Sequence, residues 1–288
     1  MAELPRLNGI IAALEAKRPV FTCFQPAEVA NAINIATSKY DGVVFEMEHQ
    51  VYDGGGFRHA LQYLLNRGQI VKGGTLAPQV TPLVRIPVNG IEKSQWLAKQ
   101  VLDSGAYGIV WPHISSVDEA YSAISAMRYP RMKDRPDYHP AGLRGDGPHA
   151  AVRYWGVSQQ EYYDRADVWP LNPKGELFAI LQMEDMAGIE ALDDILTKVK
   201  GIGAILIGEG DLSQELGFPR QYEHPEVLRW MKKVVDTCKK HGVPVGHPHV
   251  EAGNAERIIK EGYTFLMAAP TQSFGHLTKA HEVAGFKK

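Results

Sequence analysis

The sequence predicts a (β/α)8 barrel, and three observations carry that prediction. Eight short apolar or β-branched runs recur along the 288 residues with amphipathic helical stretches between them, the pattern of a parallel sheet built from strand–helix units. Acidic, basic and imidazole side chains stand just after several of these runs, where a parallel barrel builds its site. No Gly-x-Gly-x-x-Gly motif follows the first run, so the competing open, doubly wound sheet lacks its fingerprint. One barrel domain over residues 1–288 suits a chain of this length.

The strand-like runs are Pro19 to Phe24, Gly42 to Met47, Pro82 to Val88, Gly108 to Trp111, Phe178 to Met183, Ala204 to Gly208, Val243 to Gly246 and Phe265 to Ala269. Between them, Phe57 to Asn66, Glu92 to Asp103 and Pro225 to Lys240 read as helices, the last two with apolar residues three and four apart. Asp118, Glu119 and Glu226 fall in first turns, where acids complement the helix dipole. His224-Pro225-Glu226-Val227 reads as a helix entry with proline in the first turn. Residues 129–176 break the rhythm with a long stretch rich in Pro, Gly, Arg and aromatics. Its tyrosines and tryptophans argue for order, and a long connection of this kind predicts a lid or a subunit interface.

Composition narrows the function. Apolar residues make up 44% of the chain and charged residues 22%, ordinary values for a globular enzyme. The 31 basic and 33 acidic residues give a net charge of −2 without blocks of one sign, which argues against a nucleic-acid or polybasic membrane surface. The expected partners are a small molecule and further copies of the same chain. Cys23 and Cys238 stand far apart with no metal-ligand or redox spacing, so reduced thiols and a cytoplasmic protein are expected, with Cys23 in the core. No signal peptide or membrane anchor is read from the sequence.

The most informative segments are Leu181-Gln182-Met183-Glu184-Asp185 and Gly208-Glu209-Gly210-Asp211-Leu212-Ser213. Each closes an apolar run, so two carboxylates emerge at equivalent ends of neighbouring strands. Hard divalent ions such as Mg²⁺ or Mn²⁺ often take only one or two protein carboxylates and leave the remaining positions to water and substrate. The other strand ends contribute Glu46, Glu48 and His49, then Arg85, His113, His247 and His249. Such a set suits a metal-held 2-oxo acid, with a cation to balance an enolate and a base near neutrality, for which His49 is the natural candidate. The Gly208 to Asp211 turn would offer backbone amides to the substrate carboxylate.

Plainer readings stand beside these. Glu184 and Asp211 could cap helices, Arg85 could pair structurally with Glu46 or Glu48, and His49 could be a satisfied structural histidine. His247 and His249 flank Pro248 with no obvious third ligand, which favours a structural or substrate-contact role over zinc. His113 reads equally as packing or substrate contact, and Trp111 as core or pocket wall. Lys72 and Lys93 end no buried strand, which disfavours Schiff-base chemistry.

Together, Glu46-Met47-Glu48-His49, Val84-Arg85, Val110-Trp111-Pro112, Leu181-Gln182-Met183-Glu184, Ile207-Gly208 with Asp211-Leu212-Ser213, and Leu216-Gly217 followed by His224-Pro225-Glu226-Val227 resemble the HpcH/HpaI aldolase family of metal-dependent class II pyruvate aldolases. The resemblance runs from about Val43 to Ala269. It implies a TIM barrel that reversibly cleaves a 4-hydroxy-2-oxo acid to pyruvate, or a related 2-oxo acid, and an aldehyde through a metal-bound enolate. By resemblance, Glu184 and Asp211 bind the metal, Mg²⁺ first, with Mn²⁺ or Co²⁺ as alternatives. Arg85 stabilises the enolate, Gln182 orders water or substrate, His49 moves the proton, and Asp103 supports it from a neighbouring subunit. Gly210, Asp211 and His113 are expected at the substrate. The resemblance also implies a homo-oligomer, a hexamer built as a trimer of dimers, with Ser273 to Val283 as a swapped C-terminal helix.

Three departures stand out. Glu46-Met47 replaces the usual Asp-Gly, Glu209-Gly210 stands where Pro-x is common, and His113 replaces an apolar residue. These changes put the substrate in question more than the enolate chemistry. A decarboxylating or carbon–carbon-forming enzyme of the macrophomate-synthase type and a catalytically silent metabolite-binding barrel are the alternatives.

Overall fold

Parallel pairing runs unbroken around the molecule. The computed structural model describes residues 5–87, 95–269 and 283–284. In chain order the elements are α1 (Gly9–Glu15), β1 (Val20–Pro26), α2 (Val29–Ile35), β2 (Gly42–Glu46), α3 (Gly54–Leu64), α4 (Arg67–Gly73), β3 (Thr81–Arg85), α5 (Gln95–Ser104), β4 (Gly108–Trp111) and α6 (Val117–Met127). There follow α7 (His149–Trp155), α8 (Gln159–Arg165), β5 (Val168–Trp169), β6 (Leu177–Met183), α9 (Met186–Lys198), β7 (Ala204–Ile207), α10 (Glu209–Glu215), α11 (Pro225–His241), β8 (Val245–Val250), α12 (Ala255–Glu261) and β9 (Phe265–Ala268). The sheet order is β4-β3-β2-β1-β9-β8-β7-β6-β5, and a β4–β6 pairing closes it. Eight strands therefore form the barrel, while β5 pairs only with the start of β6 outside the ring. The start of the expected C-terminal helix, residues 273–282, lies outside the described residues, as does Lys93.

The strands form where the sequence is apolar on both faces, as barrel strands require. All seven residues of β6 are buried, as are all four of β4 and of β7. Inside, Phe178 stacks on Phe265 with ring centroids 6.2 Å apart. Gly108 starts β4 so close to its neighbour that a Cβ there would lie 2.2 Å from the Phe178 carbonyl oxygen, so only glycine fits. The N-terminal face is closed by α1. Its cap Asn8 accepts from the Ile10 and Ile11 amides and donates to the Glu176 carbonyl at 2.9 Å. The Glu176 carboxylate in turn accepts from the Leu7 and Asn8 amides.

The strand expected at Pro82 to Val88 ends at Arg85, and two further elements depart more from the sequence expectation. The strand expected at Val243 to Gly246 runs instead from Val245 to Val250, and its register against β9 slips between His247 and Val250. Pro248 has no amide to give to the ladder, so the strand accommodates it at an irregularity and brings both histidines to the active face. β5 was hidden because it is only two residues long and sits among prolines.

The aromatic-rich stretch 129–176 is ordered mainly by polar anchors. The fully buried Arg128 guanidinium meets Asp167 at 2.7 and 3.1 Å and the carbonyls of Pro140 and Asp137 at 2.7 and 2.8 Å. Trp155 stacks on Tyr107, centroids 4.3 Å apart, and donates to the Gly105 carbonyl. Gly105 and Tyr107 precede β4, so α7 packs toward the N-terminal side of the barrel. No residue of 129–176 lines the cleft at the opposite face. No helix among the described residues is long and apolar enough to cross a membrane.

Candidate active site

The cleft at the C-terminal ends of the strands has a volume of about 590 Å³. Its lining includes Phe24, Glu46, His49, Arg85, Gln182, Glu184, Glu209, Gly210, Asp211, Tyr222 and His249. A smaller groove of about 410 Å³ is lined by α11, α12 and Tyr263, with no residue from these strand ends.

Glu46 ends β2 and fixes the turn that follows. Its Oε1 accepts from the amides of Glu48 at 2.7 Å and His49 at 3.2 Å, while its Oε2 pairs with Arg85 Nη2. Arg85, at the end of β3, also places Nε 3.1 Å from Glu48 Oε2 and Nη1 3.4 Å from Gln182 Oε1, with its guanidinium 4.4 Å above the Phe24 ring. A planar fork can serve three partners in this way, and a lysine could not.

Glu184 follows β6 directly, with its side chain 1% exposed. Oε2 accepts from Gln182 Nε2 and Oε1 from the His113 amide, both at 2.5 Å. Burial pushes this carboxyl up to about 7, against the opposing pull of His113 and the Gln182 amide. His113 adopts φ 53°, a left-handed conformation that costs a non-glycine residue about 1–3 kcal/mol. That turn places its ring between two acids, with Nε2 3.4 Å from Glu48 Oε1 and Nδ1 3.5 Å from Glu184 Oε1. The contact with Glu48 is the main cause that raises the imidazole to about 9, with Glu184 and Asp211 adding to it and burial opposing it.

Ligand atoms of Glu48, His113 and Glu184 lie within 4.8 Å of one another. Glu48 Oε2 is buried without a hydrogen bond. Two carboxylates and an imidazole are a donor set that divalent ions accept, so the residues present fit such an ion. Asp211 lines the same cleft from the first turn of α10, outside that trio. Gly208 brings β7 against Glu184, since a Cβ there would meet Glu184 Oε2 at 2.5 Å.

Of the residues singled out in the sequence, His49, Arg85, Gln182, Glu184, Gly210 and Asp211 meet in one cleft, and His113 touches it through Glu184. His49 is 64% exposed, with Nε2 3.6 Å from Glu48 Oε2. Asp103 lies elsewhere, on α5, where it pairs at 2.7 Å with the buried Arg144 and lines no part of this cleft. Sequence reasoning read Glu46 and Glu48 only as structural partners for Arg85, with which both do pair, read His249 only as a structural or substrate-contact residue, and assigned Glu209 no role. Their shared signal is position, because each stands at or just after the end of a barrel strand or within its last turns.

A closed parallel barrel with acids, imidazoles and a guanidinium at its strand ends defines an enzyme, and the comparisons place it among the lyases. Residues 21–273 match the model of the HpcH/HpaI aldolase/citrate lyase family, and the chain belongs to that family. A 2-keto-3-deoxy-L-rhamnonate aldolase from Klebsiella pneumoniae is 30% identical over 231 residues, covering 80% of this chain and 74% of the relative. The enzyme of the same name from Salmonella gallinarum is 31% identical over 233 residues, with the same coverage. Among solved structures, an HpcH/HpaI aldolase/citrate lyase family protein from Burkholderia cenocepacia superposes with a TM-score of 0.74 at 24% identity, over 96% of this chain and 97% of the other.

Proposed function

We propose that the protein is a divalent-metal aldolase that reversibly cleaves a 4-hydroxy-2-oxo acid into pyruvate, or a related 2-oxo acid, and an aldehyde. The observation that carries this reading is the preorganised array of Arg85, Gln182 and Glu184 at one end of the barrel, with Glu48 and His113 against it. Family membership and the aldolase relatives support it.

Glu184 and Asp211, with Glu48 and His113 beside them, would hold the ion, Mg²⁺ first and Mn²⁺ or Co²⁺ next, which would act as a Lewis acid on the 2-oxo group. In the cleavage direction His49 takes the proton of the 4-hydroxyl. The C3–C4 bond breaks, C4 and its oxygen leave as the aldehyde, and the electron pair passes to C3 to give the enolate. Arg85, which lines the cleft, balances the charge on the enolate oxygen. Gln182, fixed between Arg85 and Glu184, orients water or substrate. A proton delivered to C3 completes the 2-oxo acid.

Asp103 and the stretch 129–176 would act between subunits of a homo-oligomer. A coupled assay of pyruvate release from a panel of 4-hydroxy-2-oxo acids tests the reading. Release that needs a divalent ion and is abolished by chelator supports it, and no release from any member with Mg²⁺, Mn²⁺ or Co²⁺ sinks it.

A further inference from the structure

Half the ring away from β3, the cleft wall at β7 and β8 carries polar groups that take no part in the bond cleavage proposed above. Glu209 opens α10 with its side chain 1% exposed, and its Oε1 holds His249 Nδ1. Its Oε2 is buried and makes no hydrogen bond, with His247 Nε2 3.8 Å away. His247 Nδ1 accepts from the His249 amide at 3.2 Å, so the His247 proton sits on Nε2, facing Glu209. A single buried carboxylate thus holds His249 by a hydrogen bond and faces His247 at ion-pair distance. The His249 ring also lies against Tyr222, with centroids 5.3 Å apart and planes within 11°.

The consequence lies in the tautomer. With Nδ1 committed to a carboxylate, His249 keeps Nε2 for whatever occupies the cleft, and in the neutral ring that nitrogen is an acceptor. His249 and Tyr222 both line the cleft, so Nε2 is the ring nitrogen left to pair with an occupant. The 2-oxo acid half is claimed by Arg85 at the end of β3 and by Gln182 and Glu184 at the end of β6, which leaves the part of the cleft beyond β7, at β8, to the aldehyde half.

We propose that His249, positioned by Glu209 and backed by Tyr222, determines specificity for the aldehyde half and selects an aldehyde that carries a hydroxyl group. The assignment rests on the aldolase reading and adds the substrate class to it. A site built to hydrogen-bond a hydroxyl discriminates against the analogue lacking it, because its own polar group is left unpaired.

The test is aldol addition of pyruvate to glyceraldehyde and to propanal, which share three carbons and differ in their hydroxyls. The wild-type kcat/KM ratio should favour glyceraldehyde by on the order of tenfold to a hundredfold. In His249→Phe, which keeps a ring against Tyr222, the ratio should fall to near one through a raised KM for glyceraldehyde. His249→Gln should recover part of the preference, and Glu209→Gln should give an intermediate ratio because the ring is held less firmly. Exchange of pyruvate methyl protons, which needs no aldehyde, should persist in His249→Phe and so report on the 2-oxo acid half alone. An unchanged ratio in His249→Phe with exchange intact would overturn the assignment, as would a wild type with no preference for glyceraldehyde. A wild type that fails to exchange pyruvate protons overturns the aldolase reading and this assignment with it.

Discussion

Replacing Arg85 with lysine is the most revealing perturbation of the site. The guanidinium serves Glu46, Glu48 and Gln182 from three nitrogens, and both acids are nearly buried, with side chains 11% and 4% exposed. Lysine keeps one charge on one nitrogen, so it can retain a single carboxylate partner and must abandon the rest. Losing a preorganised donor to a developing oxyanion costs about 10²–10³ in kcat, or about 2.7–4 kcal/mol. The orphaned carboxylate should cost about 1–3 kcal/mol of stability. Steady-state cleavage measured by coupled pyruvate detection, with a thermal melt of the same sample, separates the two effects. The account predicts a kcat at least a hundredfold lower with KM little changed and the fold intact. A folded Arg85→Lys protein with kcat within tenfold of wild type would refute the enolate role and leave Arg85 as a structural partner of Glu46 and Glu48.

Other outcomes follow from the same contacts. Asp167→Asn leaves the fully buried Arg128 guanidinium without its carboxylate, which should cost about 3–5 kcal/mol and lower Tm by roughly 5–8 °C; a Tm indistinguishable from wild type would contradict the structural role. Burial holds the His247 imidazole below its ordinary 6.5, with Glu209 opposing and His249 and Arg257 reinforcing the shift. The unfolded chain therefore binds a proton that the folded one refuses, so this group's contribution is complete above pH 6.5 and is lost as pH falls from 6.5 toward the depressed value. Urea midpoints across that range should decline less steeply for His247→Gln than for wild type, and parallel curves would rule the contribution out. Glu184→Gln removes a carboxylate whose ionisation burial disfavours, so the metal-free variant should be no less stable than metal-free wild type. Saturating Mn²⁺ at a hundred times Kd should stabilise the wild type by about 2.7 kcal/mol and the variant far less, and equal stabilisation of both would place the ion elsewhere.

The barrel was legible because its signal is local. Each strand is a short buried run, and β4, β6 and β7 appear within a residue or so of where periodicity puts them. β8 was displaced because His247-Pro248-His249 is polar and interrupts the apolar pattern, although the backbone carries on through it. The strand-end residues Arg85, Gln182 and Glu184 were readable for the same reason, since a barrel converts position along the chain into position around a rim. Pairings across the rim were not. His249 meets Glu209 across 40 positions, and Asp103 meets Arg144 across 41. Nothing local announces either, because the pairing of β7 with β8 and the fold of the long connection bring the partners together. His113 falls between these cases: its place after β4 was visible, but its left-handed backbone and its seat between Glu48 and Glu184 depend on three strand ends at once.

The most direct test of the central claim is deuterium incorporation at the methyl group of pyruvate in D₂O, followed by proton NMR with Mg²⁺ or Mn²⁺, with excess chelator, and with Asp211→Ala. The account predicts exchange that requires the divalent ion, stops on chelation and is lost in Asp211→Ala. Absence of exchange with either metal in the folded wild-type protein would contradict a pyruvate enolate, and with it the aldolase proposed here.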